Sequence, residues 1–379
     1  MKIVFVWRFL TPNRGDLSSS PWNYLFFPGG ACVKIDISHD LASKEKVSIF
    51  NEADLIILGG GGLLGMDKYL PKIDFLANSF GHKLFVWGAG SNWYQPPATL
   101  PRLGNVFQVG LRDHPMSESY QEYPEGLAIS SSYLPCASAL HTYFLAYWAA
   151  RANFHSGSNV FANDRKASLK ILVSVNDAGK AEHGFGSKFF DQLENLLLNY
   201  PAFKYQLLGN SRLQIESCLD AIRWADIVVT RSYHCAYWGS LMGKVVLSLP
   251  TTSKFRSFSP LATGYHSFGS SDQIIERLPA VFAESLKNDR FHDLANSIAF
   301  YRDSLSLNCK AACLAYSKLD LEEYFSMFYE KYSDLLRKDS FAVNRAKSTT
   351  EKLANELKSA IIDVSAASRR AGRNFIARD

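Results

Sequence analysis

The residues best suited to chemistry follow strand-like runs. Asp226–Thr230 leads into Arg231-Ser232-Tyr233-His234 and then a helical stretch, Cys235–Met242, closed by Gly243. An arginine, a hydroxyl and a histidine therefore meet at a helix N-terminus. Free N–H groups and the helix dipole there stabilise an anion such as a phosphate or carboxylate, with Arg231 and Ser232 as its ligands. His234 titrates near neutral pH, which suits a general acid or base; its alternative role is a capping or core histidine. The next strand, Val245–Leu249, ends in Pro250-Thr251-Thr252-Ser253-Lys254. Lys254 is placed either to contact the same anion or to stay a solvated loop cation.

Three further strand ends carry unusual residues. Asp54–Leu58 runs into Gly59-Gly60-Gly61-Gly62, Lys83–Trp87 into Gly88-Ala89-Gly90-Ser91-Asn92, and Val106–Val109 into Gly110-Leu111-Arg112-Asp113. Gly60, Gly61, Gly88 and Gly90 let backbone N–H groups approach an anion without a Cβ in the way, and the same glycines equally suit tight turns. Arg112 supplies a second guanidinium. Asp16, in Asn13-Arg14-Gly15-Asp16 past the first strand, is a cleft carboxylate or a turn residue. The six cysteines lack a CxxC pair or His-rich spacing, so they read as reduced thiols and the chain offers no metal site. No cofactor is expected.

These positions require a scaffold of parallel strands alternating with helices. The strand runs above, with Lys2–Trp7, Lys170–Val175 and Lys204–Leu208, have that pattern, and in such sheets ligands bind beyond the carboxyl ends of the strands. The 379 residues, 47% hydrophobic and 20% charged, fit an α/β protein of two Rossmann-like domains facing a cleft, with C-terminal helices. The expected division is residues 1–150, then 151–340 opened by a polar linker at 151–169, then a basic amphipathic helix and tail at 341–379.

Charge narrows the partners. Of the net +5, residues 341–379 supply +4 from eight Lys/Arg and four Asp/Glu, so the body is nearly neutral and nucleic acid is not an expected partner. The N-terminus has no signal-peptide h-region, and the longest apolar stretch, near 137–150, is shorter than the ~18 residues a span requires, so the reading is cytoplasmic. In the tail, Ser348-Thr349-Thr350-Glu351 fits a capping box, Leu353, Leu357, Ile361 and Val364 share one helical face, and four arginines follow. The tail is either a peripheral contact with the anionic inner face of a membrane or a solvated terminus.

Taken in order, Asn13-Arg14-Gly15-Asp16, the Gly59–Gly62 run, Trp87-Gly88-Ala89-Gly90, Gly110-Leu111-Arg112-Asp113 with Ser117, and Asp226 to His234 with Gly239 and Gly243 resemble the polysaccharide pyruvyl transferases over residues 1–260. The resemblance implies a GT-B-like fold and transfer of the enolpyruvyl unit of phosphoenolpyruvate to a hydroxyl of a bacterial-type surface glycan or lipid-linked glycan. Arginines would hold the donor's carboxylate and phosphate, and His234 would move protons.

The sequence departs from that family at one informative place. Members typically read Arg-x-His, whereas Ser232 stands at the arginine position and Arg231 lies one residue earlier. A one-residue shift at a strand end turns a side chain to the opposite face. The segment expected as Gly-Asp-Pro is Leu134-Pro135-Cys136-Ala137-Ser138. The alternative keeps the fold and changes the donor: a GT-B glycosyltransferase using a nucleotide-activated or phosphorylated sugar. A non-catalytic scaffold of a glycan-assembly complex is the third reading.

Overall fold

The computed structural model describes residues 1–319 apart from 26, 28, 29, 94–99, 124–130, 156–168, 176–184, 201–203, 210–213, 251, 259–261 and 288–290. The expected tail helix at 341–379 lies outside the described residues, as does most of the expected linker.

Two parallel sheets organise the chain. The first holds β1 (Lys2–Trp7), β2 (Ala31–Asp36), β3 (Leu55–Gly61), β4 (Leu84–Ala89), β5 (Gln108–Leu111) and β6 (Ser132–Tyr133) in the order β2-β1-β3-β4-β5-β6. The second holds β7 (Lys170–Val175), β8 (Lys204–Gly209), β9 (Ile227–Thr230), β10 (Val245–Ser248) and β11 (Tyr265–Ser267) in the order β11-β10-β9-β7-β8. Strand order reverses between β1 and β3 in one sheet and between β7 and β9 in the other, and such reversals open crevices at the carboxyl ends.

Strand alternation explains how the two halves share a core. In β1, Val4 and Val6 enter a cluster on one face, packed with Ile56, Leu58 and Ile73. Ile3, Phe5 and Trp7 point to the other face, into a cluster that continues through Trp87, Trp238 and Tyr316 to Leu172, Val228 and Val246 of the second sheet. Both faces are covered, which is why β1 reads as an unbroken apolar run. The helices Thr142–His155 and Phe291–Lys318 contribute Trp148, Leu305 and Ala312 to that joint core. Buried Asn308 fastens it: its Oδ1 accepts from Trp87 Nε1 at 2.9 Å, and its Nδ2 donates to the carbonyls of Pro135 (3.2 Å) and Ser304 (2.9 Å).

Several sequence expectations require correction. Residues 151–155, read as linker, complete the helix Thr142–His155. Strands β2, β6 and β11 lie outside the expected set; β2 is a half-exposed edge strand carrying Lys34, and β6 and β11 are only two and three residues long. Gly59–Gly61, expected as a loop, belong to β3, where Gly61 pairs with Ala89. Gly60 and Gly61 hold φ of 83° and 85°, and a Cβ on Gly60 would lie 2.3 Å from the Ser19 carbonyl, so only glycine fits this close approach.

Candidate anion-binding site

The carboxyl ends of β1, β3, β5, β9 and β10 converge on one cavity of about 90 Å³ between the two halves. That is room for several waters or for one phosphate-sized group. The first half brings Arg8, Asp16, Gly60, Gly61 and Arg112, and the second brings Ser232, Tyr233, His234 and Lys254.

Arg8 follows β1 directly, and its Nη1 lies 3.3 Å from Asp16 Oδ2. The backbone beyond it is pinned by buried Asp36, which accepts from the amides of Phe9 (2.6 Å), Leu10 (2.5 Å) and Ser38 (2.8 Å). Burial pushes the Asp36 carboxyl up, but the hydrogen bonds from Ser38, Leu10 and Phe9 outweigh it and hold the group below its ordinary value.

Arg112 is only 2% exposed. Its Nη2 donates to the Ser91 carbonyl at 2.6 Å, and its guanidinium lies 4.4 Å from the centroid of the Tyr233 ring, across the cleft. Next to it, Asp113 accepts from Ser91 N (3.0 Å), Ser91 Oγ (2.7 Å), Ser119 Oγ (2.7 Å) and Tyr123 OH (2.9 Å), which locks the loop that carries Ser91. A Cβ at residue 90 would sit 2.4 Å from Arg112 Cγ, so Gly90 makes space for the arginine stem.

The helix Tyr233–Leu241 starts at the cavity, capped by Ser232, whose hydroxyl accepts from Cys235 N at 3.5 Å. His234 sits in its first turn, buried. One face of the imidazole presses on Gly15, and Nε2 lies 3.8 Å from Cys136 Sγ. Burial, then the charges of Arg112 and Lys254, push its pKa well below the ordinary value, so the ring is neutral at neutral pH, and an anion in the cavity would restore part of its basicity by offsetting those charges. Lys254 is pushed down to about 8 by burial and by Arg112, against the pull of Asp16. Asp16 is pushed up by burial, against Arg8, Lys254 and Arg112. Arg8, Arg112 and Lys254 thus face one carboxylate. Among the residues that line the cavity the cations outnumber the carboxylates, which favours an anion, as does the helix N-terminus, while buried Asp113 behind Arg112 offsets part of that charge.

Seven sequence candidates, Asp16, Gly60, Gly61, Arg112, Ser232, His234 and Lys254, line this cavity, and three do not. Gly90 stands behind Arg112. Gly88, with φ 62°, packs in β4 with its Cβ position 3.2 Å from the Pro135 carbonyl, so its role is close packing. Arg231 is replaced at the cavity by Ser232, because adjacent residues leaving a strand face opposite sides. Sequence reasoning missed Arg8, Asn92 and Met66. For Arg8 a signal existed: it is the charge that interrupts the first apolar run. Among the described residues, no group of three His, Cys, Asp or Glu is placed to hold a metal, and no helix is long and apolar enough to cross a membrane.

No protein-family model matches the sequence, and no curated protein does. Solved structures do match. S. aureus MnaA in its co-structure with UDP aligns over 84% of this chain and 97% of its own, at 11% identity and a TM-score of 0.52. The UDP-GlcNAc 2-epimerase from Neisseria meningitidis bound to UDP-GlcNAc aligns over 79% of this chain and 95% of its own, at 13% identity and a TM-score of 0.49. At these identities the likeness is one of fold: two facing α/β halves in a GT-B-like arrangement, with the cavity at their junction.

Proposed function

We propose that the protein is a transferase of glycan assembly that takes an activated donor, a nucleotide-activated or phosphorylated sugar, and passes its sugar to a glycan or lipid-linked glycan acceptor. The observation that carries this reading is the trio Arg8, Arg112 and Lys254 against the single carboxylate of Asp16, at the start of the helix Tyr233–Leu241. These groups hold the donor's phosphate, and the guanidinium of Arg112 meets developing negative charge on the leaving group. Neutral His234, or Asp16, takes the proton of the acceptor hydroxyl. The GT-B-like fold, shared with a protein solved with UDP, supports a nucleotide donor.

A second reading has its own support. The residues that resemble the pyruvyl transferases, Asn13, Asp16, Gly60, Gly61, Arg112 and His234, meet at one cavity that suits a small anion. In this reading phosphoenolpyruvate is the donor and a pyruvyl group is transferred. Ser232 at the family's arginine position counts against it.

Donor identity is testable without knowing the acceptor. A ligand at 100 times its Kd adds about 2.7 kcal/mol to stability, so a thermal-shift panel of nucleotide sugars, sugar phosphates and phosphoenolpyruvate separates the readings. A shift with a nucleotide sugar, followed by nucleotide release in the presence of glycan, is the expected outcome. A shift with phosphoenolpyruvate alone, with phosphate release, would replace it by the second. Silence across the panel would refute both and leave a non-catalytic glycan-binding role.

A further inference from the structure

Lys254 belongs to the second half of the chain but is held from the first. The segment around it, residues 252–257 after β10, crosses the cleft and bonds to the opposite side at four points. Thr252 Oγ1 donates to Asn92 Oδ1 at 3.0 Å, Ser253 N to the Trp93 carbonyl at 2.9 Å, Trp93 N to Ser253 Oγ at 3.1 Å, and His114 N to the Ser257 carbonyl at 3.0 Å. Ser253, Phe255 and Ser257 are each at most 1% exposed. Within the segment, Ser257 Oγ donates to the Lys254 carbonyl at 2.6 Å.

Glu122 ties these contacts together from the side. Its Oε1 lies 2.7 Å from Arg256 Nη2, and its Oε2 accepts from Trp93 Nε1 at 2.6 Å. Arg256 Nη1 extends to Glu118 at 3.7 Å. One carboxylate therefore grips both partners of the Trp93–Ser253 pair: the indole on one side of the cleft, and the arginine three residues after Ser253 on the other. Using both oxygens toward two rigid donors gives this pair a fixed geometry that an isolated surface ion pair lacks.

We propose that Glu122, Trp93 and Arg256 form a clasp that sets the position of Lys254 in the anion cavity, so that anion affinity depends on a carboxylate which does not touch the anion. Glu122 is then a positioning residue, and loosening the clasp withdraws a cation from the site. The inference rests on the reading of the cavity as an anion site.

The sign of one substitution separates the clasp from simple electrostatics. Removing a negative charge near a cationic cavity strengthens anion binding by Coulomb's law alone. If Glu122 acts through Lys254, Glu122→Ala must instead weaken it. The probe is inorganic phosphate, titrated by thermal shift at low ionic strength. Glu122→Ala and Arg256→Glu are each expected to bind phosphate about tenfold more weakly than the wild type, and Arg256→Lys within about threefold. Amide hydrogen exchange at Trp93 and Ser253 is expected to quicken in Glu122→Ala and Arg256→Glu and not in Arg256→Lys. Both sites are partly solvent-facing, so unchanged unfolding midpoints without phosphate check that the variants fold. Equal or tighter phosphate binding by Glu122→Ala overturns the clasp. Absence of phosphate binding by the wild type would instead overturn the anion site. The clasp is then decided by exchange: protected Trp93 and Ser253 amides in Glu122→Ala reject it.

Discussion

The contact between Gly15 and His234 yields the sharpest expected outcome. An alanine at 15 would place its Cβ 1.9 Å from His234 Nδ1 and 2.4 Å from Cγ, where van der Waals contact begins near 3.5 Å. The imidazole would have to retreat by well over 1 Å, and there is little room behind it. Cys136 Sγ lies 3.8 Å from Nε2, and the Trp238 and Tyr233 rings flank it at centroid distances of 5.6 and 5.3 Å. Overpacking of this kind costs about 1–3 kcal/mol, opposed by at most ~1 kcal/mol from the better helix propensity of alanine. The net expectation for Gly15→Ala is a lower unfolding midpoint, by about 1–2 °C. If His234 moves the proton as proposed, the loss of turnover should be larger, because a displacement near 1 Å of such a group lowers rates by about 10². Gly104→Ala is the control, since a Cβ there meets nothing within 4 Å. Calorimetry and donor turnover on both variants test the argument. If Gly15→Ala matches Gly104→Ala in both, the imidazole is not held against Gly15 and the reasoning about its position fails.

Other outcomes follow from the same geometry. Arg112→Lys keeps the charge but loses the planar fork on Tyr233 and Ser91, so donor affinity should fall by about 1–3 kcal/mol in a binding titration, while Arg231→Lys, away from the cavity, should bind as the wild type does. Asp36→Asn should cost about 1–3 kcal/mol in denaturant unfolding and weaken anion binding through Arg8, because the amides of Phe9 and Leu10 lose a charged acceptor. Asn308→Leu orphans the Trp87 indole and the Pro135 carbonyl, and its unfolding midpoint should fall by the equivalent of about 2–4 kcal/mol. The neutral state of His234 also sets a pH dependence. Its folded pKa is depressed below 6.5, so the unfolded chain binds the extra proton, and this part of the stability is complete above about 6.5 and is lost as pH falls toward the folded value. The midpoint difference between wild type and His234→Gln, measured by calorimetry from pH 7.5 to 5, should shift against the wild type as pH falls; a constant difference would contradict burial of a neutral ring.

How far the fold could be read from residues depended on burial. Strands β1, β7 and β9 are covered on both faces, and their apolar runs stood out against polar turns. Boundaries were less legible: glycine continues β3 past the expected end, because it has no side chain to register a face, and β5 runs over Gln108–Leu111, two residues later than expected. β2 escaped notice for the opposite reason. At the sheet edge its first four residues are exposed or half-buried, so Lys34 is tolerated there and no alternation marks the strand. The joint core was also invisible in the sequence. Tyr316 and Asn308 reach Phe27 and Trp87 across nearly three hundred and over two hundred residues, and no local pattern encodes such contacts.

The candidate site was legible where the cavity lining and strand ends coincide. Arg112, Ser232, His234 and Lys254 each follow a strand, and reading strand ends as ligand positions found them. The same rule applied to β1 selects Arg8, the residue directly after the strand. Arg231 shows the limit of the rule. Both Arg231 and Ser232 leave β9, and which one enters the cavity depends on the turn that starts the helix, where Ser232 N is held by Thr230 Oγ1 at 2.9 Å and the Ser232 hydroxyl caps Cys235. That turn directs the smaller residue inward and leaves the guanidinium role to Arg8 and Arg112, both from the opposite half. An anion bound there is consequently gripped by arginines of one half against a helix N-terminus of the other. The proposed site is therefore complete only with both halves in place, and the joint core that runs from Phe5 and Trp87 to Val228 and Val246 keeps them so.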